Sequence, residues 1–170
     1  PAYKDSKEDY YPSGEDCFKV MVEELRKAKE YIYLEYFIIE QGIMWNSILE
    51  ILEQKVKEGV EVRLLYDGMG NSRLPKDFFD KFHAAGGYTA AFLPPFIVRI
   101  NYRNHRKLCI IDGKVGYIGG FNVGDEYLGI VKRYGPWRDT HLRVVGDAID
   151  QMQMRFIKDW NFTTRYGAVK

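Results

Sequence analysis

Between residues 15 and 93 the chain alternates between two hydrophobic periods. Phe18, Val22, Leu25 and Ala28 recur at helical spacing, and Tyr31 to Ile39 then runs apolar, aromatic and β-branched. Trp45, Ile48, Leu49, Leu52 and Val56 restore the helical repeat up to Gly59, and residues 60–67 (VEVRLLYD) return to a strand pattern. Residues 76–85 read as a further helix closed by Gly86-Gly87, and residues 88–93 as a short strand stopped by Pro94-Pro95. A 3.6-residue period buries one stripe of a helix, whereas a dense apolar run buries a strand, so helices must stack on a sheet. Residues 108–111 and 115–118 flank Asp112-Gly113, a hairpin signal. Residues 140–145 alternate as a strand, and residues 148–159 read as a closing helix. The predicted order alternates helix and strand up to residue 93, then runs through further strands to a closing helix. It implies an α/β fold: a mixed β-sheet flanked by helices on both faces. Residues 1–10 (PAYKDSKEDY) are polar and read as a leader or a cut end, leaving 11–170 as the domain. Ser13, three residues before Asp16, is a candidate helix cap.

Composition narrows the function classes. A formal net charge of +1 gives no polyelectrolyte signature, so a general nucleic-acid binder is not expected. Charge is concentrated locally: Arg99, Arg103, Arg106, Lys107 and Lys114 stand against Asp112 alone between residues 99 and 114. The two cysteines, Cys17 and Cys109, have no zinc-site spacing and fit a reducing compartment. No apolar run reaches the ~18 residues of a membrane span. The aromatic share of 15% is high, which fits a large core first and a partner or membrane surface second.

The chemistry concentrates in HRKLCIIDGKVGYIGGFN, residues 105–122. His105 and Lys107 are two apart, so on a strand they share a face. A two-residue Asp112-Gly113 turn would pair Ile111 with Lys114, Lys107 with Ile118 and His105 with Gly120, with Asn122 continuing the same face. Such a face offers an imidazole, a compact cation and amide donors beside a glycine that admits close backbone approach. That set suits an anion with one reactive centre. Each residue alone would be read as structural; their joint arrangement points to catalysis. Glu35 is an oddity, a carboxylate inside an apolar strand that needs a partner. It could line a pocket, as could Arg103, or pair with a buried Arg or Tyr. His83 and His141 have no constellation around them and read as ordinary surface or strand residues.

H-x-K-x4-D followed by paired glycines and x-N is the signature of the phospholipase D superfamily, matched here by His105, Lys107, Asp112, Gly119, Gly120 and Asn122. Further segments, YFIIEQGIMW, YRNHRK, GGFNVGDEYLG and WRDTHLRVVG, resemble the bacterial cardiolipin synthases, so the resemblance runs from Tyr11 to Trp160. Gly68 departs from it, since relatives often carry a second acid after Asp67; no catalytic consequence is attached to this.

The resemblance implies a mechanism without metal or cofactor. One motif histidine attacks the phosphodiester and forms a phosphohistidine. A histidine from a second motif protonates the leaving alcohol, and an incoming alcohol or water completes the transfer. By this resemblance His105 is the nucleophile, and Lys107, Gly120 and Asn122 hold the phosphate. Asp112 completes the motif by holding the turn, and Asp139 in WRDT fixes the His105 tautomer. The motif occurs once, so the chain resembles the first catalytic half of a cardiolipin synthase. The other half would come from the parent chain or from a homodimer, and the parent would be anchored at the cytoplasmic side of the membrane. The implied substrate is phosphatidylglycerol at an anionic membrane surface. Two alternatives stand beside this reading: a homodimeric phosphodiesterase or nuclease of the same superfamily, and a non-catalytic module that binds phosphate headgroups.

Overall fold

The computed structural model describes residues 3–93, 103–131, 135 and 137–166. Its strands are β1 (Lys7–Tyr11), β2 (Tyr31–Tyr36), β3 (Glu61–Asp67), β4 (Tyr88–Phe92), β5 (Lys107–Ile111), β6 (Val115–Gly119) and β7 (His141–Val145). They form one sheet in the order β1-β7-β6-β5-β2-β3-β4. β2, β3 and β4 run parallel, and every other pairing is antiparallel, which makes the sheet mixed as expected. The α-helices are α1 (Gly14–Lys27), α2 (Ile43–Lys57), α3 (Asp80–Ala85) and α4 (Ala148–Tyr166), with a 3-10 turn at Asp125–Leu128.

Strand alternation sorts the core into two layers. Ile32, Leu34, Tyr36, Cys109 and Tyr117 face α1 and α2, packing with Met21, Leu25, Trp45 and Leu52. Leu65, Ala90, Leu108 and Ile110 face the other way, against Ile149, Phe156 and Trp160 of α4. Helices therefore lie on both faces. The helix ends follow local chemistry. The Ser13 hydroxyl accepts the Asp16 N–H at 3.3 Å, as its position predicted. α2 starts without a side-chain cap of its own; the Asp125 carboxylate caps it from afar, accepting from the N–H groups of Ile43 (2.9 Å) and Met44 (2.8 Å).

Four sequence readings need correction. Residues 7–10, read as a leader, belong to β1, paired with β7 from Lys7↔Val145 to Tyr11↔His141. Their polarity reflects an exposed edge strand, where charge discourages pairing with other chains. β2 stops at Tyr36 instead of Ile39 because side chains take over its backbone groups. Asn71 accepts from the Ile39 N–H at 2.8 Å and donates to the Phe37 carbonyl at 2.8 Å. α3 covers only the end of residues 76–85, closing on Gly86 at φ 105. Pro94-Pro95 and Arg99 lie outside the described residues.

The hairpin register also differs from the expected one. Asp112 (φ 53) and Gly113 (φ 62) are both left-handed, and the Lys114 N–H donates to the Ile111 carbonyl at 2.9 Å. The turn has the expected chemistry, but the ladder resumes at Ile111↔Val115, so Lys114 is an extra residue. The register becomes Leu108↔Ile118 in place of Lys107↔Ile118. On its other edge β6 pairs with β7, where Gly119 meets His141. A Cβ at Gly119 would collide with the Thr140 carbonyl oxygen and the His141 ring. Gly119→Ala is expected to cost about 1–3 kcal/mol, measurable as a lower urea midpoint with unchanged m.

Candidate active site

One end of the sheet gathers the predicted site. β2, β3 and β4 finish there, β5 and β7 begin there, and β6 delivers Gly119 to it. His105 precedes β5 and lies outside any strand, so its ring is held by packing and not by the ladder. It stacks on Phe37 with ring centroids 3.8 Å apart and planes 18° apart. The Lys107 ammonium sits 5.4 Å from the centroid of the same ring and donates to the His105 carbonyl at 2.7 Å. Phe37 is thus a shared platform for the imidazole and the cation. Partial burial pushes the Lys107 pKa down, and the Asp139 carboxylate works against that.

Gly120 packs directly against Asp139, whose Oδ1 occupies the place a Cβ would need. The same oxygen accepts the Thr140 N–H at 2.7 Å. Asn122 accepts the Ile38 N–H at 3.2 Å through Oδ1 and donates through Nδ2 to the Tyr127 hydroxyl at 3.3 Å. That anchors the amide and leaves its second N–H for a ligand. His105, Lys107, Gly120, Asn122 and Asp139 therefore occupy one region. His141 joins them unexpectedly. It is buried, stacks on Phe121 at 3.5 Å, and donates through Nδ1 to the Thr140 carbonyl at 3.0 Å. Burial, opposed by the Thr140 carbonyl and aided by nearby Lys107, pushes its pKa down to about 4. It is neutral at pH 7 and is no surface residue.

Three predicted residues stand apart from this cluster. Asp112 is at the opposite end of β5, roughly 15 Å away by strand rise. Its carboxylate accepts the N–H groups of Lys29 (2.9 Å), Glu30 (2.8 Å) and Tyr31 (3.0 Å), which fastens the α1–β2 connection to the hairpin. Burial pushes its pKa up, but these three donors outweigh it and the net shift is downward. Arg103 is a strut. Its side chain is buried, donates to the Leu93 carbonyl and lies 3.7 Å from Asp67. Glu35 is paired, with an asparagine and a half-exposed arginine where a buried Arg or Tyr was the expected partner. On the α4 face, 2% exposed, it accepts from Asn104 and lies 3.9 Å from Arg106.

Burial raises the Glu35 pKa to about 7; Asn104 and Arg106 oppose this, and the Asp159 carboxylate beside it reinforces it. A carboxyl whose folded pKa exceeds its unfolded value favours the folded state at low pH. Its contribution is full below about pH 4.5 and is lost as pH rises through about 7. Glu35→Gln is expected to flatten the stability profile between pH 5 and 8, measured as Tm against pH.

Three residues of this region are not marked by the sequence pattern. Phe37 reads as part of an apolar strand, Asn104 stands unmarked beside the motif histidine, and His141 reads as an ordinary surface or strand residue. YRNHRK holds the signal for Asn104, a polar residue directly flanking the motif histidine. A groove of about 630 Å³ adjoins Phe37, lined by residues 38–41 and 69–75.

This arrangement is the phospholipase D-like fold. The structure is similar to NucT from Helicobacter pylori, with TM-score 0.72 and 14% identity, covering 92% of this chain and 97% of that one. It is also similar to Nuc from Salmonella typhimurium, a phospholipase D family member, with TM-score 0.64 and 17% identity over 97% of each chain. The family described as cardiolipin synthase, PLD-like domain, matches residues 21–160, and the chain belongs to that family. A cardiolipin synthase of Oceanobacillus iheyensis is 52% identical over 160 residues, which is 92% of this chain and 33% of that protein. The chain thus spans about a third of the length of the curated relatives it matches. Among the described residues no helix is long and apolar enough to cross a membrane.

Proposed function

We propose that this domain supplies the nucleophilic half of a phosphatidyl-transfer site, with phosphatidylglycerol as donor and a second phosphatidylglycerol as acceptor. The observation that carries this is the shared Phe37 platform, which holds the His105 imidazole beside the Lys107 ammonium. A His105 ring nitrogen attacks phosphorus, the bond to the leaving glycerol oxygen breaks, and a phosphohistidine forms. The proton for the leaving oxygen comes from the histidine of a second motif, in the parent chain or a partner copy. The acceptor hydroxyl then gives its proton to that second-motif histidine, its oxygen bonds to phosphorus, and the bond from phosphorus to His105 breaks. Lys107 and the remaining Asn122 N–H stabilise the phosphoryl oxygens as charge moves onto them. Asp139 is the acceptor that fixes the His105 tautomer. The groove beside Phe37 is the natural place for the polar end of the lipid, and the anionic membrane surface is its source.

The test removes the need for a second motif. Bis(p-nitrophenyl) phosphate has a leaving group that departs without protonation, so the first half-reaction requires only the nucleophile and the phosphate donors. The expected result is a p-nitrophenolate burst and a phosphoryl adduct that mass spectrometry maps to His105. An adduct elsewhere, or none from folded protein, overturns the assignment. Short-chain phosphatidylglycerol, offered with and without the complementary half, then tests the lipid.

A further inference from the structure

We infer that Glu35 and Asp159 form a two-sided clasp that fixes the backbone flanking His105, which makes them positioning residues for the reaction proposed above. The need arises from the fold. β5 begins at Lys107, so no strand ladder holds the backbone of residues 104–106. Side chains hold it instead. The Asn104 N–H donates to Asp67 Oδ2 at 3.3 Å, and its side-chain amide donates to Glu35 Oε1. Asn104 Oδ1 accepts both the backbone N–H and the guanidinium of Arg106, each at 3.1 Å. The Arg106 guanidinium continues to Asp159 Oδ2 at 3.1 Å, and Arg155 secures Asp159 through its Nε at 2.9 Å. The residue before His105 is thereby tied to β2, and the residue after it to α4.

Nothing in the proposed chemistry uses Glu35 or Asp159, yet both are nearly inaccessible, at 2% and 3% exposure. Two buried carboxylates placed together are costly, and apolar residues of similar size would serve stability as well or better. The arrangement is intelligible as geometric specification. It locks Asn104 and Arg106 on the α4 side, which leaves His105 to lie on Phe37. Misplacing a reacting group by about 1 Å can cost on the order of 10²-fold in rate.

The stack supplies a readout that does not depend on catalysis. The chain has three histidines, and only His105 lies on the face of Phe37. Its ring protons should carry an upfield ring-current displacement in proton–carbon spectra of histidine-labelled protein, assigned by loss in His105→Ala. Glu35→Ala and Arg106→Ala are each expected to remove that displacement and slow the p-nitrophenolate burst by about 10²-fold, with the substrate's half-saturating concentration little changed. Glu35→Gln keeps the acceptor for Asn104 and should restore both. Arg106 has a half-exposed side chain, so its variant decides the matter if Glu35→Ala fails to fold. An unmoved His105 signal in folded Arg106→Ala overturns the clasp. A moved signal in a protein whose wild type forms no adduct upholds the clasp and defeats the nucleophile reading instead.

Discussion

His105→Ala is expected to abolish the phosphoryl adduct and to lower p-nitrophenolate release by at least about 10⁴-fold, as loss of a covalent nucleophile does. The fold should survive. His105 is exposed, precedes β5, and contributes little to either core layer. Its Tm should therefore stay close to that of the wild type, and phosphate binding through Lys107 and Asn122 should persist. Activity that survives the substitution would sink the assignment of His105 as the nucleophile. Equal headgroup binding in the two proteins, with neither turning over, would favour the non-catalytic module. Lys107→Met offers the converse pattern. Its removal takes away a charge that is worth most in the transition state, so the burst rate should fall while His105 keeps its stack on Phe37.

The other large effect belongs to Asp112, and it falls on stability. Asp112→Ala removes the acceptor for three backbone N–H groups and places alanine at φ 53. Charge-assisted bonds of this kind are worth about 1.5–3 kcal/mol each when buried. These face solvent, so the loss should be about 2–3 kcal/mol in all, or about 5–10 °C in Tm. Asp112→Asn tolerates the left-handed conformation and keeps one carbonyl acceptor, so it should lose roughly half as much. The folded pKa lies below the ordinary aspartate value. The contribution is therefore present above about pH 4 and lost as pH falls through the folded value. The wild type and Asp112→Ala should converge at acid pH, which a pH series of urea unfolding would show.

Much of this molecule was legible because its information is local. Helix periods, the Asp112-Gly113 turn and the Ser13 cap are decided by neighbours in sequence, and the structure carries each of them. The ends of β5, β6 and β7 bring His105, Lys107, Gly119, Gly120 and Asn122 to one region, while Asp112 lies at the far end of β5. What escaped was set by distant partners. β1 reads as a leader because an edge strand exposed on both faces carries no apolar alternation. Lys114 slipped the hairpin by one residue, and no spacing rule distinguishes that from a two-residue loop. His141 gave no sign of burial, since its environment is Phe121 and Gly119 rather than its own neighbours. Glu35 was visibly odd, but its partners Asn104, Arg106 and Asp159 come from other elements.

The pairing of β1 with β7 also governs the order of folding. Lys7 meets Val145 across nearly the whole chain, and Ser6 accepts the Ala148 N–H at the start of α4. Closing so long a loop is entropically slow, so this edge should form after the parallel strands β2, β3 and β4 have associated. During synthesis the first strand must wait, unpaired, until residues 141–145 have emerged. Its lysine, glutamate and aspartate keep that waiting segment soluble, and amide exchange should find Lys7–Tyr11 among the earliest backbone to open.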